Sequence, residues 1–191
     1  MAAIGKASRL RTVWRDIERY ASHPDPQAAA CNRIALIVAS NQPLYPLFVQ
    51  WAAGNGGQAA MLTWLSTPLF LAVPAVARSH SPAGRSLLTL AGLANTLLAL
   101  ALLGPGTGAA LFLAPCLVLA GIAFRSDERS WALPLTASAA VACLVARYWP
   151  FPPVVSFEPG AQAALLDLNV MGAGSLLILI GFTFAAGRPA S

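Results

Sequence analysis

Histidine and charged side chains are scarce in this chain, and their scarcity excludes several kinds of chemistry. The sequence has only two histidines, His23 and His80, and 10% charged residues. Neither histidine lies in an apolar run, which excludes a haem between spanning helices and a histidine-rich zinc site. A serine nucleophile would likewise lack an activating histidine within the membrane. We therefore expect no cofactor, no metal site and no enzymatic activity.

Cysteine is also scarce and points to no reaction. Cys31, Cys116 and Cys143 form no CxxC pair and no even-numbered disulfide framework. Cys116 and Cys143 fall within apolar runs, where cysteine usually packs as a small hydrophobic residue. The polar, proline-containing stretch before Cys31 lacks the apolar region of a signal peptide, so we expect the N-terminus to be retained.

Long apolar runs are abundant instead. Hydrophobic residues make up 57% of the sequence, and charged residues make up only 10%. In an ordinary soluble domain the charged fraction is about a quarter. The runs cover residues 34–53, 58–77, 86–103, 107–124, 131–149 and 163–186. Because a spanning helix needs about 20 residues, this pattern predicts an all-α, polytopic membrane protein with six transmembrane helices in one domain.

The basic residues are concentrated in alternate loops. All of the 12 lysines and arginines except Arg147 precede the first run, follow the second or fourth, or follow the sixth. Because positive residues resist translocation, we expect both termini in the cytoplasm of a bacterial inner membrane. We assign residues 1–30 to a cytoplasmic helix and linker, 31–187 to the six-helix domain and 188–191 to a cytoplasmic tail. Basic residues that are spread along the cytoplasmic surface of a membrane protein suit anionic headgroups. This distribution argues against a nucleic-acid partner.

Residues 7–21 predict an amphipathic helix ahead of the first span. Apolar side chains recur there at helical spacing, and basic side chains occupy the rest of the circumference. We expect this helix to lie on the cytoplasmic membrane surface, with docking to a protein partner as the alternative. The expected headgroup or partner contacts are Arg9, Arg11, Trp14, Arg15 and Arg19.

One group of candidate ligand-binding or gating residues lies near the outer end of the last span. Asp167 is the only carboxylate within a predicted span, and an ionisable residue there is a functional candidate by default. Arg147, Glu158 and Asn169 are its neighbours in the pattern, and an Asp167–Arg147 pair is a possible gate. The structural alternative is that Asp167 lies at headgroup depth and caps the helix.

A second group lies in the middle of the first span. Asn41 and Gln42 precede Pro43 and Pro46, and two prolines remove backbone donors and kink a helix. Membrane helices tolerate such kinks when neighbouring helices satisfy the freed groups. We therefore expect Asn41 and Gln42 to find partners on other helices, or to line a central path.

The arrangement of spans resembles a known receptor module. Six spans, two short outer loops and a longer last outer loop with prolines and aromatic residues resemble the membrane modules of bacterial class III adenylate cyclases. Related modules precede some diguanylate cyclases and histidine kinases. The stretches 106–115 and 157–169 are similar to regions of such modules. In those receptors the sixth span continues into a catalytic domain, whereas here Gly187, Arg188 and Pro189 follow it, so the resemblance implies an input or anchoring role and no catalytic residues.

Three functions are compatible with the sequence. The first is a non-enzymatic membrane sensor or anchoring module that couples to a cytoplasmic or membrane partner or to a second copy of itself. The second is an accessory structural subunit of a larger membrane complex, and the third is a small transporter or channel. Sensing predicts an outward pocket bounded by residues 147–167. Transport predicts a polar cavity reached by Asn41 and Asp167. An accessory role predicts a large apolar face that another protein covers.

Overall fold

The computed structural model of the chain describes residues 2–186, and it describes side chains from Thr12 onward. Within these limits the secondary structure is helical and includes no strand, which confirms the all-α prediction. The helices are α1 Ala2–Ala21, α2 Pro26–Asn41, α3 Tyr45–Ala53, α4 Gly57–Ala60, α5 Thr67–Ser79, α6 Ser81–Leu103, α7 Leu113–Ile122, α8 Arg129–Arg147 and α9 Pro159–Ala186. Short 3₁₀ helices cover Met61–Ser66, Pro105–Thr107, Ala109–Phe112 and Ser126–Glu128.

The six apolar runs fall in helical parts of the chain. Four segments of the described chain are long and apolar enough to cross a membrane: Gly57–Ser79, Ser81–Leu103, Ser126–Arg147 and Pro159–Ala186. The first and fourth runs are interrupted instead. The first is divided between α2 and α3, and the fourth begins with 3₁₀ turns before α7.

The interruption of the first run follows from its two prolines. Pro43 and Pro46 have no backbone N–H, so the carbonyls of Ala39 and Gln42 lose their helical donors. The Gln42 carbonyl accepts a hydrogen bond from the Trp64 indole Nε1 at 2.9 Å instead. The predicted kink is therefore a complete break, and a neighbouring segment satisfies one of the freed carbonyls.

The long helix α6 lies at the centre of the bundle. It packs against α2, α5, α7 and α8, and its buried residues extend from Gly84 to Leu103 around more than one face. Helix α9 packs against α2, α3 and α7, and its buried residues form the single stripe Leu165, Asn169, Ala173 and Ile180. The remaining surface of α9 is available to lipid or to a partner.

The bundle has two chemically different ends. The tight-loop end comprises residues 54–56, 104–108 and 148–158, and the basic end comprises residues 22–25, 80 and 123–128. At the tight-loop end, the backbone N–H groups of Val154 and Val155 donate to the carbonyls of Ala101 and Leu102 at 3.3 and 3.0 Å. Because the last carbonyls of a helix lack internal partners, the 148–158 loop caps α6.

Helix α1 confirms the predicted amphipathic helix and begins earlier, at Ala2. Its C-terminal end is held to the bundle, since Asn32 Nδ2 donates to the Ala21 carbonyl at 3.1 Å and Arg78 donates to the Tyr20 carbonyl at 3.0 Å. Trp14 is 64% exposed, and Arg15 and Arg19 are also exposed. The side chains of Arg9 and Arg11 and the predicted tail 188–191 lie outside the described residues.

Candidate functional site

A cavity of about 550 Å³ lies among α2, α3, α5, α6, α7 and α9. This volume is within the range of about 300–1,000 Å³ that is usual for small-molecule sites. None of the lining residues that the structure describes is charged. The polar lining residues are Ser40, Asn41, Gln42, Tyr45, Asn95, Thr96, Asn169 and Ser175.

Polarity is distributed unevenly along the cavity. At about 1.5 Å of rise per residue, Tyr45, Asn95 and Asn169 lie about 12–15 Å from the tight-loop ends of α3, α6 and α9. Toward the basic end the lining is apolar apart from Ser175, and it includes Ile34, Leu88, Leu119, Leu176 and Leu179. The cavity therefore has a polar half toward the tight loops and a hydrocarbon-like half toward the basic end.

A network centred on Ser66 forms one wall of the polar half. Gln42 Nε2 donates to Ser66 Oγ at 2.7 Å, and Ser66 Oγ lies 2.9 Å from Asn95 Oδ1. Gln42 and Ser66 are both buried. The expectation that Gln42 finds a partner on another segment is thus met, and the network joins the α2–α3 break to the 3₁₀ segment Met61–Ser66 and to α6.

Asn169 forms a second polar connection. The Tyr45 hydroxyl donates to Asn169 Oδ1 at 3.2 Å, and Asn169 Nδ2 donates to the Thr107 carbonyl at 2.8 Å. Thr107 lies in the irregular start of the fourth apolar run, where carbonyls lack regular helical partners. Asn169 is buried and connects α3, α9 and residues 105–107, so the structure gives this candidate a bracing position in the cavity wall.

The cavity opens sideways between α2 and α9. Its lining residues Ser40, Asn41, Met171 and Ser175 are themselves exposed on the surface of the bundle, Met171 to 72%. Within residues 12–186, the side chains of Asn41 and Ser175 have no hydrogen-bond partner. Asn41 therefore differs from Gln42, because its side chain lies at the opening rather than against another helix.

The outer candidates lie apart from this cavity. Asp167, Arg147 and Glu158 are exposed, and none of them belongs to the cavity lining. Within the described part of the chain Asp167 and Arg147 form no ion pair, and the Arg147 guanidinium lies 5.5 Å from the Tyr148 ring centroid. The cavity is thus not the pocket bounded by residues 147–167 that the sensing hypothesis predicted.

An ionic cluster at the basic end was missed by the sequence analysis. The cluster comprises Asp25, Arg85, Arg125 and Glu128. The side chain of Arg85 is only 1% exposed, and its guanidinium makes two hydrogen bonds to the Glu128 carboxylate, one of them at 2.8 Å. Arg85 also lies 3.5 Å from Asp25, which pairs with Arg125 at 3.0 Å. Each buried charge therefore has an opposite charge beside it.

Neutral groups complete the coordination of the buried guanidinium. Arg85 Nη1 donates to the Ala123 carbonyl at 2.6 Å and to Gln27 Oε1 at 3.0 Å, and Arg85 Nε donates to the Ser81 carbonyl at 3.3 Å. The Ser81 hydroxyl donates to Asp25. The ionic cluster thereby joins the start of α2, the start of α6 and the α7–α8 loop.

One sequence signal for the cluster was available. Arg85 and Arg125 belong to the basic residues of the positive-inside pattern, which indicates topology and nothing about burial. Asp25 and Glu128 are carboxylates expected at the same end as these arginines. Sequence pattern could place the four charges at one end, but it could not show that Arg85 is buried.

We expect acid to weaken the ionic cluster. Burial raises the pKa of Asp25, but the hydrogen bond from Ser81 and the charges of Arg85 and Arg125 outweigh it, so this pKa lies below its ordinary value of 3.8. A carboxyl whose pKa is lower in the folded state stabilises the fold above its unfolded pKa, and this contribution is lost as pH falls through the folded pKa. Thermal unfolding in detergent should therefore show stability falling below about pH 4.

Asp25→Asn should lower the melting temperature at neutral pH. It should also reduce the further loss of thermal stability that the wild type shows in acid. Asp127→Asn is the matched control, because Asp127 is exposed in the adjacent α7–α8 loop; it should keep the pH dependence of the wild type. If the wild type and Asp25→Asn lose stability equally steeply in acid, Asp25 does not carry the effect.

Comparison with known proteins adds no relative: no protein-family model, curated protein or solved structure matches the chain. The resemblance to adenylate cyclase membrane modules therefore stays a prediction from sequence pattern.

Proposed function

We propose that this chain is a non-enzymatic integral membrane module with six transmembrane helices and both termini in the cytoplasm of a bacterial inner membrane. It acts as a sensor or an anchoring module. The four long apolar segments support this topology, as do the two interrupted apolar runs that pack with them. The basic end then faces the cytoplasm, in agreement with the positive-inside rule.

The observation that carries the sensing role is the laterally open cavity at the α2–α3 break. A ligand there contacts residues on both sides of the break, Ile34 and Asn41 on α2 and Tyr45 and Phe48 on α3. Breaks in membrane helices are points where small rearrangements are absorbed. Occupancy of the cavity is therefore positioned to change the angle between α2 and α3.

Helix α2 connects the cavity to the cytoplasmic side. Asp25 caps α2 by accepting a hydrogen bond from the Gln27 N–H at 3.1 Å, and the same carboxylate pairs with Arg85 and Arg125. Movement of α2 therefore acts on the ionic cluster and on the loops that it joins. This connection supports transmission from the bilayer interior to a cytoplasmic partner.

Helix α1 supplies the expected contact surface at that side. Its exposed Trp14, Arg15 and Arg19 suit an interface with anionic headgroups, where aromatic and basic side chains favour binding. The same surface suits a protein partner or a second copy of the chain, which would compete with lipid for it.

A transporter is the second candidate, and the interrupted helices favour it. Interruptions at residues 42–44 and 105–112 flank the cavity, and discontinuous helices frame the substrate sites of many transporters. The described lining, however, includes no acidic or basic side chain for coupling to ions, and Asp167 is not part of it. Sensing accounts for the interrupted helices and the cavity without requiring a group that couples to ions.

Hydrogen–deuterium exchange in nanodiscs containing anionic lipid tests the sensing role. Ser175→Trp places a large side chain in the opening of the cavity, and Val170→Trp places the same side chain on the exposed surface of α9, away from the lining. We expect Ser175→Trp to change exchange in residues 22–27 and 123–129, because α2 carries the effect to the ionic cluster. Val170→Trp should leave these residues unchanged.

The two roles are separated by the outcome. If both variants exchange like the wild type at the basic end, the cavity is not coupled to that end and sensing is refuted. The anchoring role is then judged by gentle-detergent purification with mass spectrometry. Recovery of the chain alone and monomeric would count against anchoring as well.

A further inference from the structure

We infer that the cavity binds one uncharged, single-chain lipid-like molecule with a hydroxyl head group, oriented with its head toward the tight-loop end. This inference rests on the proposed sensing function and names the class of ligand that the cavity takes. It combines the charge, the polar groups, the size and the opening of the cavity.

Charge excludes the common anionic lipids as ligands. The described lining has no aspartate, glutamate, lysine, arginine or histidine, and a charge placed in an apolar site without a partner carries a large desolvation cost. The charges of the ionic cluster belong to the basic end and neutralise one another. A fatty acid carboxylate or a phospholipid phosphate would thus enter without a countercharge.

The head group is indicated by two unused polar atoms. Asn95 Oδ1 and Gln42 Nε2 both contact Ser66 Oγ, at 2.9 and 2.7 Å, so the two amide groups lie within about 6 Å of each other. Within the described chain, Asn95 Nδ2 and Gln42 Oε1 have no hydrogen-bond partner. The Ser66 hydroxyl has one hydrogen for two acceptors, Asn95 Oδ1 and the Thr63 carbonyl at 2.8 Å. With the Asn95 amide oriented as in the structure, a ligand hydroxyl can donate to Gln42 Oε1 and accept from Asn95 Nδ2.

Size and access indicate a single chain that arrives from the bilayer. At about 30 Å³ for each water-sized group, a volume of about 550 Å³ accommodates roughly 18 groups, comparable to one long alkyl chain. A two-chain phospholipid is too large. The opening between α2 and α9 leads sideways rather than to either end, so the molecule enters from the lipid phase with its chain along Leu88, Leu119 and Leu176.

Photolabelling of the full-length protein in nanodiscs tests this inference. The probes are a long-chain alcohol carrying a diazirine in mid-chain and the carboxylic acid of the same chain length and label position. We expect the alcohol to label residues of the apolar half at least about ten times more than the acid, a difference of about 1.4 kcal/mol in binding. Excess unlabelled long-chain alcohol should compete.

Matched variants locate the labelling. Ser175→Trp should reduce labelling in the cavity at least about tenfold, whereas Val170→Trp should leave it as in the wild type. Asn95→Ala removes the donor of the head-group contact and should reduce the preference for the alcohol over the acid. Its melting temperature in detergent shows whether the fold is retained, and Gln42→Ala provides a second test of the same contact from another helix.

Each outcome decides one part of the proposal. Equal labelling of the lining by alcohol and acid would overturn the ligand class and leave the sensing function standing. Labelling by neither probe, or labelling confined to the outer surfaces of α8 and α9, would overturn ligand binding altogether. Failure of sensing is detected separately, as unchanged exchange at residues 22–27 and 123–129 when the alcohol occupies the cavity.

Discussion

Replacing Arg85 by methionine is expected to destabilise the protein by about 3–5 kcal/mol, because the change removes one partner from a buried ionic cluster. The Glu128 carboxylate and the Ala123 carbonyl then lose their principal donor, and buried groups left without partners add a desolvation cost. Equilibrium unfolding in mixed micelles by increasing SDS gives the measurement. The loss is expected to exceed that of any substitution at the exposed charges of the basic end.

Arg129→Met is the matched control for Arg85→Met. Both variants remove one positive charge from the basic end and so weaken the positive-inside signal equally. Arg129 is exposed, and its replacement should change stability by no more than about 0.5 kcal/mol. Equal losses in the two variants would show that topology, and not the buried cluster, accounts for the effect of Arg85.

Two further variants separate charge from geometry. Arg85→Lys keeps the charge but loses the two-pronged hydrogen bonding to Glu128, and lysine does not replace arginine at such a site. We expect it to recover only part of the loss. Combining Arg85→Met with Glu128→Gln should cost less than the sum of the two single changes, because the second removes the charge that the first leaves unpaired.

Gly84→Ala is expected to be the most damaging of the small-to-large substitutions. A methyl carbon added at Gly84 would lie 2.5–2.6 Å from the Cβ, Cα and N atoms of Ala77 on α5. Backbone atoms cannot turn aside as the end of a flexible side chain can, so α5 and α6 must separate. Overpacking of this kind costs about 1–3 kcal/mol.

Gly174→Ala provides the opposite case on α9. A methyl carbon added there meets no atom within 4 Å, so the substitution should gain up to about 1 kcal/mol from helix propensity alone. SDS unfolding of both variants should therefore place them on opposite sides of the wild type. A stabilised Gly84→Ala protein would contradict the close α5–α6 contact.

The helical framework was predictable because its signals are local. Apolar runs of about 20 residues and the amphipathic pattern of residues 7–21 depend on neighbours in sequence, and α6, α8 and α9 follow the runs closely. The prolines at 43 and 46 correctly marked an irregular point in the first run. Their consequence was larger than a kink, because the second proline also removes the donor for the Gln42 carbonyl.

The candidate site was only partly predictable. Asn41 and Gln42 are adjacent and chemically alike, yet Gln42 is buried against Ser66 and Asn41 lies at the cavity opening. Which of two neighbouring amides turns inward depends on the direction of the broken helix. Asp167, the most conspicuous residue of the sequence, lies on the exposed side of α9, whereas Asn169 lies in its buried stripe.

The sequence by itself determined that the chain is helical, that most of its helices are apolar and that its basic residues other than Arg147 avoid one end. These properties follow from composition and from spacing along the chain. Only the tertiary structure decided that Arg85 is buried while Arg129 is exposed, and that residues of six helices line a cavity whose described lining has no charge. The physical reason is distance in sequence: Asp25 and Arg125 pair across 100 positions, and no local pattern records which side chains packing brings together.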